Sequence, residues 1–122
     1  MTGDRQCYED ELWWRVHRPE LALGAGSWRW VSEAYASFAK LGAPGVLQAV
    51  DTPLLMLGAE ADALVSATAI RNAAKELPHA ELHLYPPPAA HELLREVHAI
   101  RNDAMARIAA FLHAQTAGRA AG

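Results

Sequence analysis

Two side chains in this sequence have the type and placement for proton transfer. Asp62 follows the apolar run Pro53–Gly58 (PLLMLG), and His91 follows the alternating run Ala80–Tyr85 (AELHLY). A carboxylate that accepts a hydrogen bond from a histidine Nδ1–H fixes the tautomer and orientation of the ring. It also stabilises the imidazolium that forms when Nε2 takes a proton from a nucleophile. The two residues are far apart in sequence. Adjacent parallel strands would nevertheless bring their loops together, because functional groups of open α/β sheets gather at the carboxyl ends of strands. Spacing alone also allows a plainer arrangement, with Asp62 as a loop or helix-cap residue and His91 as a helix cap. Glu60, in the same loop as Asp62, is a second candidate acid.

The elements that must position these groups are legible around them. A short continuous apolar run such as Pro53–Gly58 suits a strand buried on both faces, as in a parallel sheet. Ser66 can cap a helix that runs to about Leu77, with Pro78 close behind. The run Ala80–Tyr85 alternates, with Leu82 and Leu84 on one face, and Pro86-Pro87-Pro88 ends it. A short helix is expected after His91, then a longer one from about Ile100 to His113. There Ile100, Ala104, Ile108, Phe111 and Leu112 form one stripe. The order strand, acid-bearing loop, helix, strand, histidine-bearing loop, helix predicts an α/β fold with parallel strands. Two parallel strands make a poor sheet by themselves, so the chain is expected to be the end of something larger.

The first half reads as helical. Residues 7–16 (CYEDELWWRV) suit a short helix, and His17–Gly26, with Pro19, Gly24 and Gly26, a loop. Ser27 is a candidate N-cap for a helix through about Leu41. Its apolar residues Trp28, Val31, Ala34, Tyr35, Phe38 and Leu41 recur at helical spacing. Gly42-Ala43-Pro44-Gly45 stops it, and Val46–Val50 reads as a turn or short helix. The small, polar tail Thr116–Gly122 is expected to fray.

Composition excludes several classes of function. Apolar residues at 52% and charged residues at 20% are globular proportions, for one domain or part of one. A net charge of −3 argues against a nucleic-acid partner. No apolar run approaches the roughly 18 residues of a membrane span, and Met1–Gln6 is too polar for a signal peptide, so a soluble, cytoplasmic protein is expected. The single cysteine, Cys7, excludes an intramolecular disulfide. No metal site is expected. His79 and His83 fall on one exposed strand face, and HELLREVH lacks the spacing of H-E-x-x-H. No glycine-rich phosphate loop is present. Trp13, Trp14, Trp28 and Trp30 suit either a lipid-binding cap or, more simply, ordinary packing.

The stretches TPLLMLGAEADALVS and LPHAELHLYPPPAAHELLREVHAIRNDAMARIAAFL resemble the C-terminal part of α/β-hydrolases of the lysophospholipase and monoacylglycerol-lipase type, the serine aminopeptidase-like hydrolases. The matching residues are Gly58, Asp62 and Val65 of a G-x-x-x-D-x-x-V loop, then Ala90, His91 and Glu92, then Glu96 and Arg101. The resemblance covers about residues 50–113, and residues 1–45 fit it more loosely. It implies the last two parallel strands of that fold with flanking helices (residues 46–115), preceded by a helical cap-derived segment (residues 1–45). It further implies that Asp62 is the triad acid and His91 the triad base, and that no cofactor is needed. Glu96 and Arg101 themselves read as a structural ion pair near the histidine loop.

The departure from that family is at the nucleophile. Its members act through a serine in G-x-S-x-G, before the acid in chain order. The serines here are Ser27, Ser32, Ser37 and Ser66, and the positions flanking Ser27 that would be glycine are Ala25 and Arg29. The expectation is therefore the C-terminal portion of a serine hydrolase acting on carboxylic esters, lysophospholipid or monoacylglycerol-like. It carries acid and histidine, takes its nucleophile and oxyanion donors from a missing N-terminal half, and is inactive alone. The alternative is a non-catalytic α/β module that pairs through its sheet edge with a second copy or another partner.

Overall fold

The computed structural model describes residues 4–117. Among these residues, four α-helices and one parallel two-stranded sheet make a mixed α/β architecture. Helix α1 spans Arg5–His17 and begins where the Asp4 side chain accepts the N–H groups of Gln6 (2.8 Å) and Cys7 (3.2 Å). A single 3₁₀ turn, Pro19–Leu21, interrupts the loop expected after it. Helix α2 spans Trp28–Leu41, with the Ser27 hydroxyl accepting the Trp30 N–H, and Gly42 closes it onto the Phe38 carbonyl. Residues 42–49 form a series of turns leading to the sheet.

Strand β1 spans Leu54–Ala59 and β2 spans Ala80–Tyr85. They run parallel in the register Leu54↔Ala80 through Ala59↔Tyr85. Helix α3, Ala67–Glu76, makes the crossover, capped by Ser66 through the Ala69 N–H at 3.3 Å. Gly58 permits close packing on the α3 side of β1. A Cβ there would lie 2.9 Å from Leu84 Cδ2 and 3.1 Å from Ile70 Cδ1. The first four residues of β1 are only half-buried, and full burial is reached at Gly58 and Ala59. The expectation of a strand buried on both faces holds at its carboxyl end alone.

Beyond β2, a cis Pro87–Pro88 bond and a 3₁₀ turn, Leu93–Arg95, lead into helix α4, His98–Ala117. Thr116 and Ala117 continue this helix rather than fray. Residues 118–122 of the expected tail and residues 1–3 of the polar start lie outside the described residues. The core is small: Ala59, Tyr85, Ala89, Leu93 and Ala104, with Leu57 and Ile100 packed against it. It sits where the carboxyl ends of the strands meet α4. The α4 stripe includes Ile100, Ala104, Ile108 and Phe111, but Leu112 turns out to solvent. Among the described residues no helix is long and apolar enough to cross a membrane.

Two expectations about side chains are corrected. His83 does not lie on a solvated face. Its face of β2 also carries the buried Tyr85, and the two rings meet edge-on with centroids 4.5 Å apart. The Tyr85 hydroxyl donates to Asp103 Oδ2 at 2.7 Å, which pins β2 to α4, and Arg107 Nε donates to the same oxygen at 2.7 Å. Nor do the tryptophans join the core. Trp28 is 89% exposed, Trp30 67%, and Trp13 and Trp14 50% each, with the last two in edge-to-face contact.

Candidate functional site

The loop after β1 folds on the Asp62 side chain. Its N–H donates to the Ala59 carbonyl at 3.4 Å, so the chain turns as soon as the strand ends. Asp62 Oδ1 then accepts the N–H groups of Leu64 (2.7 Å) and Val65 (3.1 Å). Asp and Asn favour such turns because their short side chains reach the backbone two and three residues on. With Oδ1 committed to its own loop, Oδ2 points to the neighbouring strand end.

The loop after β2 brings His91 to that oxygen. Ala89 N–H closes a turn on the Pro86 carbonyl at 3.2 Å, and Ala90 N–H donates to Glu96 Oε1 at 3.2 Å. His91 Nδ1 lies 2.8 Å from Asp62 Oδ2, well within hydrogen-bond range. The Asp62 side chain is only 3% exposed, whereas that of His91 is 40% exposed. Because the carboxylate is acceptor-only, the neutral ring places its proton on Nδ1, leaving the Nε2 lone pair free.

The electrostatics of Asp62 follow from this geometry. Burial pushes its pKa up, but the Leu64 N–H, the His91 ring and the Val65 N–H together outweigh that, and the pKa lies below its ordinary value. The group therefore stays ionised at neutral pH. Glu60, the second candidate acid, is taken elsewhere: it pairs with Arg71 of α3.

His91 also borders an apolar cavity of about 440 Å³ walled by Leu57, Leu93, Leu94 and Ile108. A proton acceptor thus stands beside a space suited to an apolar group. The arrangement can accept a proton at Nε2 and hold the resulting charge against Asp62.

Neither Ser27 nor Ser66 stands on a sharp turn from a strand into a helix with a free hydroxyl. Both are N-caps whose oxygens are occupied. Ser32 and Ser37 lie within α2. Among the described residues no three His, Cys, Asp or Glu side chains converge as metal ligands would.

Two neighbours of the histidine loop differ from the sequence expectation. No ion pair joins Glu96 to Arg101 among the described residues. Glu96 turns inward to Ala90, and Arg101 Nη2 reaches Asn102 Oδ1 at 3.5 Å. Arg95 was not singled out by sequence. Its Nη2 donates to the Cys7 carbonyl at 2.7 Å and its Nη1 to Glu92 at 3.2 Å, which fastens α1 to the loop beside His91. The spacing Glu92-x-x-Arg95 is the one local signal for half of this contact, since the other half lies in α1. No protein-family model matches the chain, and no curated protein matches its sequence.

Proposed function

We propose that the chain supplies the acid and histidine of a serine-hydrolase site acting on carboxylic esters, of lysophospholipid or monoacylglycerol type. The observation that carries this reading is the 2.8 Å contact between His91 Nδ1 and Asp62 Oδ2, with Oδ1 held by two backbone N–H groups. In this role His91 takes the proton of an attacking serine at Nε2 and returns it to the leaving alcohol, while Asp62 holds the ring and offsets its charge. The apolar cavity beside His91 is consistent with an acyl or alkyl substrate.

The serine comes from a second segment in an α/β-hydrolase-like arrangement. Leu54 N–H donates to the His79 carbonyl and Glu60 N–H to the Tyr85 carbonyl, so even-numbered residues of β1 face β2. The backbone groups of Leu55 and Leu57 therefore face the opposite edge, which has no strand partner among the described residues. Apolar cavities flank this edge on both faces, one at Leu57, Leu93 and Ile108, the other at Met56, Val65 and Ile70. One added strand with apolar side chains on both faces would fill both.

The test uses a fluorophosphonate probe and an ester substrate. The chain alone is expected to show neither labelling nor turnover. Adding an N-terminal hydrolase half with a G-x-S-x-G elbow is expected to give both, lost again on His91→Ala. Labelling of the isolated chain would refute the borrowed nucleophile, and a folded complex without turnover would refute the catalytic role. The open β1 edge also favours a second reading, a non-catalytic module pairing with its own copy. A discrete dimer with a cooperative melt and no gain of turnover on complementation would establish that one.

A further inference from the structure

We infer that Glu96 is a positioning residue for His91. The catalytic meaning of this inference rests on the hydrolase reading above, but its test does not. Glu96 is a charged residue only 2% exposed. A carboxyl group in such a place is unfavourable unless its oxygens are hydrogen-bonded. Here Oε1 accepts the Ala90 N–H at 3.2 Å.

Ala90 is the residue immediately before His91, so the backbone there is held from within the fold. The other end of the tie is equally fixed. Glu96 N–H donates to the carbonyl of Leu93, a core residue, at 3.4 Å, and the intervening turn closes through Arg95 N–H on Glu92 at 2.7 Å. Between the Ala90 amide and the His91 ring lie only three soft backbone torsions, φ and ψ of Ala90 and φ of His91, and the side-chain torsions. Any swing of that amide carries the ring away from Asp62, and a hydrogen bond of 2.8 Å tolerates only a few tenths of an ångström before it weakens. Asp62 orients the ring from one side, and Glu96 sets the backbone from which the ring is hung.

The test uses the full chain labelled with ¹⁵N. In the unmodified protein the Ala90 amide is expected to exchange at least about tenfold more slowly than an unbonded loop amide. Exchange at the free-loop rate would overturn the inference. Ring ¹⁵N shifts of His91, read through its carbon-bound protons at the alkaline plateau, report the tautomer. Glu96→Gln keeps an acceptor and is expected to retain the Nδ1–H form. Glu96→Met has similar length and no acceptor, and is expected to give a mixture of tautomers. An unchanged tautomer in Glu96→Met, or its loss in Glu96→Gln to the same extent, would overturn the inference. If Glu96→Met does not fold, Ala90 exchange and the Glu96→Gln shifts decide. Absence of the Nδ1–H form in the unmodified protein would instead sink the acid–histidine reading itself, so the two failures are distinguishable.

Discussion

The Asp62 carboxylate is divided between two partners: Oδ2 meets His91 Nδ1 at 2.8 Å, while Oδ1 stays with the N–H groups of Leu64 and Val65. Asp62→Asn separates these tasks. The amide oxygen can keep the two backbone bonds, which turns the NH₂ group toward His91. The ring must then accept at Nδ1 and carry its proton on Nε2. We expect ring ¹⁵N shifts to show that inverted tautomer with the fold intact. Turnover of a complemented enzyme should fall by roughly 10³–10⁴.

Glu60→Gln provides the contrast. Glu60 is paired with Arg71, so its loss should leave the His91 tautomer unchanged. Both side chains of that pair are more than a third exposed, so the stability change should stay within about 0.5 kcal/mol. A changed His91 tautomer in Glu60→Gln would show that the wrong acid has been assigned.

Acid titration adds a signed expectation. The folded pKa of Asp62 lies below its ordinary 3.8, so the stability it contributes is present above that value and is lost as pH falls through the lower, folded one. Denaturant melts of wild type and Asp62→Asn should therefore differ in slope against pH below about 4.

Tyr85 gives the opposite sign at the other end of the scale. Burial first, and then the bond to Asp103, push its pKa from 10.0 up to about 12. A raised folded pKa means stability that is complete below 10.0 and lost as pH climbs toward about 12. Tyr85→Phe should remove that alkaline loss. At neutral pH it should cost about 1–2 kcal/mol, because the hydroxyl bond between β2 and α4 is gone. A parallel alkaline profile for the two proteins would contradict this assignment.

Gly58→Val tests the packing beneath the site. Its Cβ would lie 2.9 Å from Leu84 and 3.1 Å from Ile70 and its two methyl groups add bulk beyond that, overpacking of a kind that costs about 1–3 kcal/mol. Gly58→Ala should cost less, because both neighbours present the free ends of flexible side chains. Thermal melts of the two variants rank them.

Much of the local structure is legible in the sequence, because its causes are local. Ser27 and Ser66 cap the helices their positions suggest, and both strands lie where the apolar runs place them. The meeting of Asp62 with His91 follows from parallel pairing, which the alternation of elements implies. What was not legible depends on distant packing. His83 reads as solvated until α4 brings Asp103 and Arg107 over its face of the strand. Glu96 reads as half of a structural ion pair with Arg101 because no local pattern marks a glutamate that turns to the Ala90 backbone instead. The tryptophans read either as a lipid-binding cap or as ordinary packing, because a residue's type and spacing do not give its partner.

That last feature has an optical consequence. The indoles of Trp28 and Trp30 on α2 stand largely in water, those of Trp13 and Trp14 on α1 are half-exposed, and none belongs to the core among the described residues. Intrinsic emission should therefore lie to the red in the native protein and move only modestly on denaturation. A molecule that settles against either helix would shift it to the blue, so the chain carries its own reporter of whatever docks there.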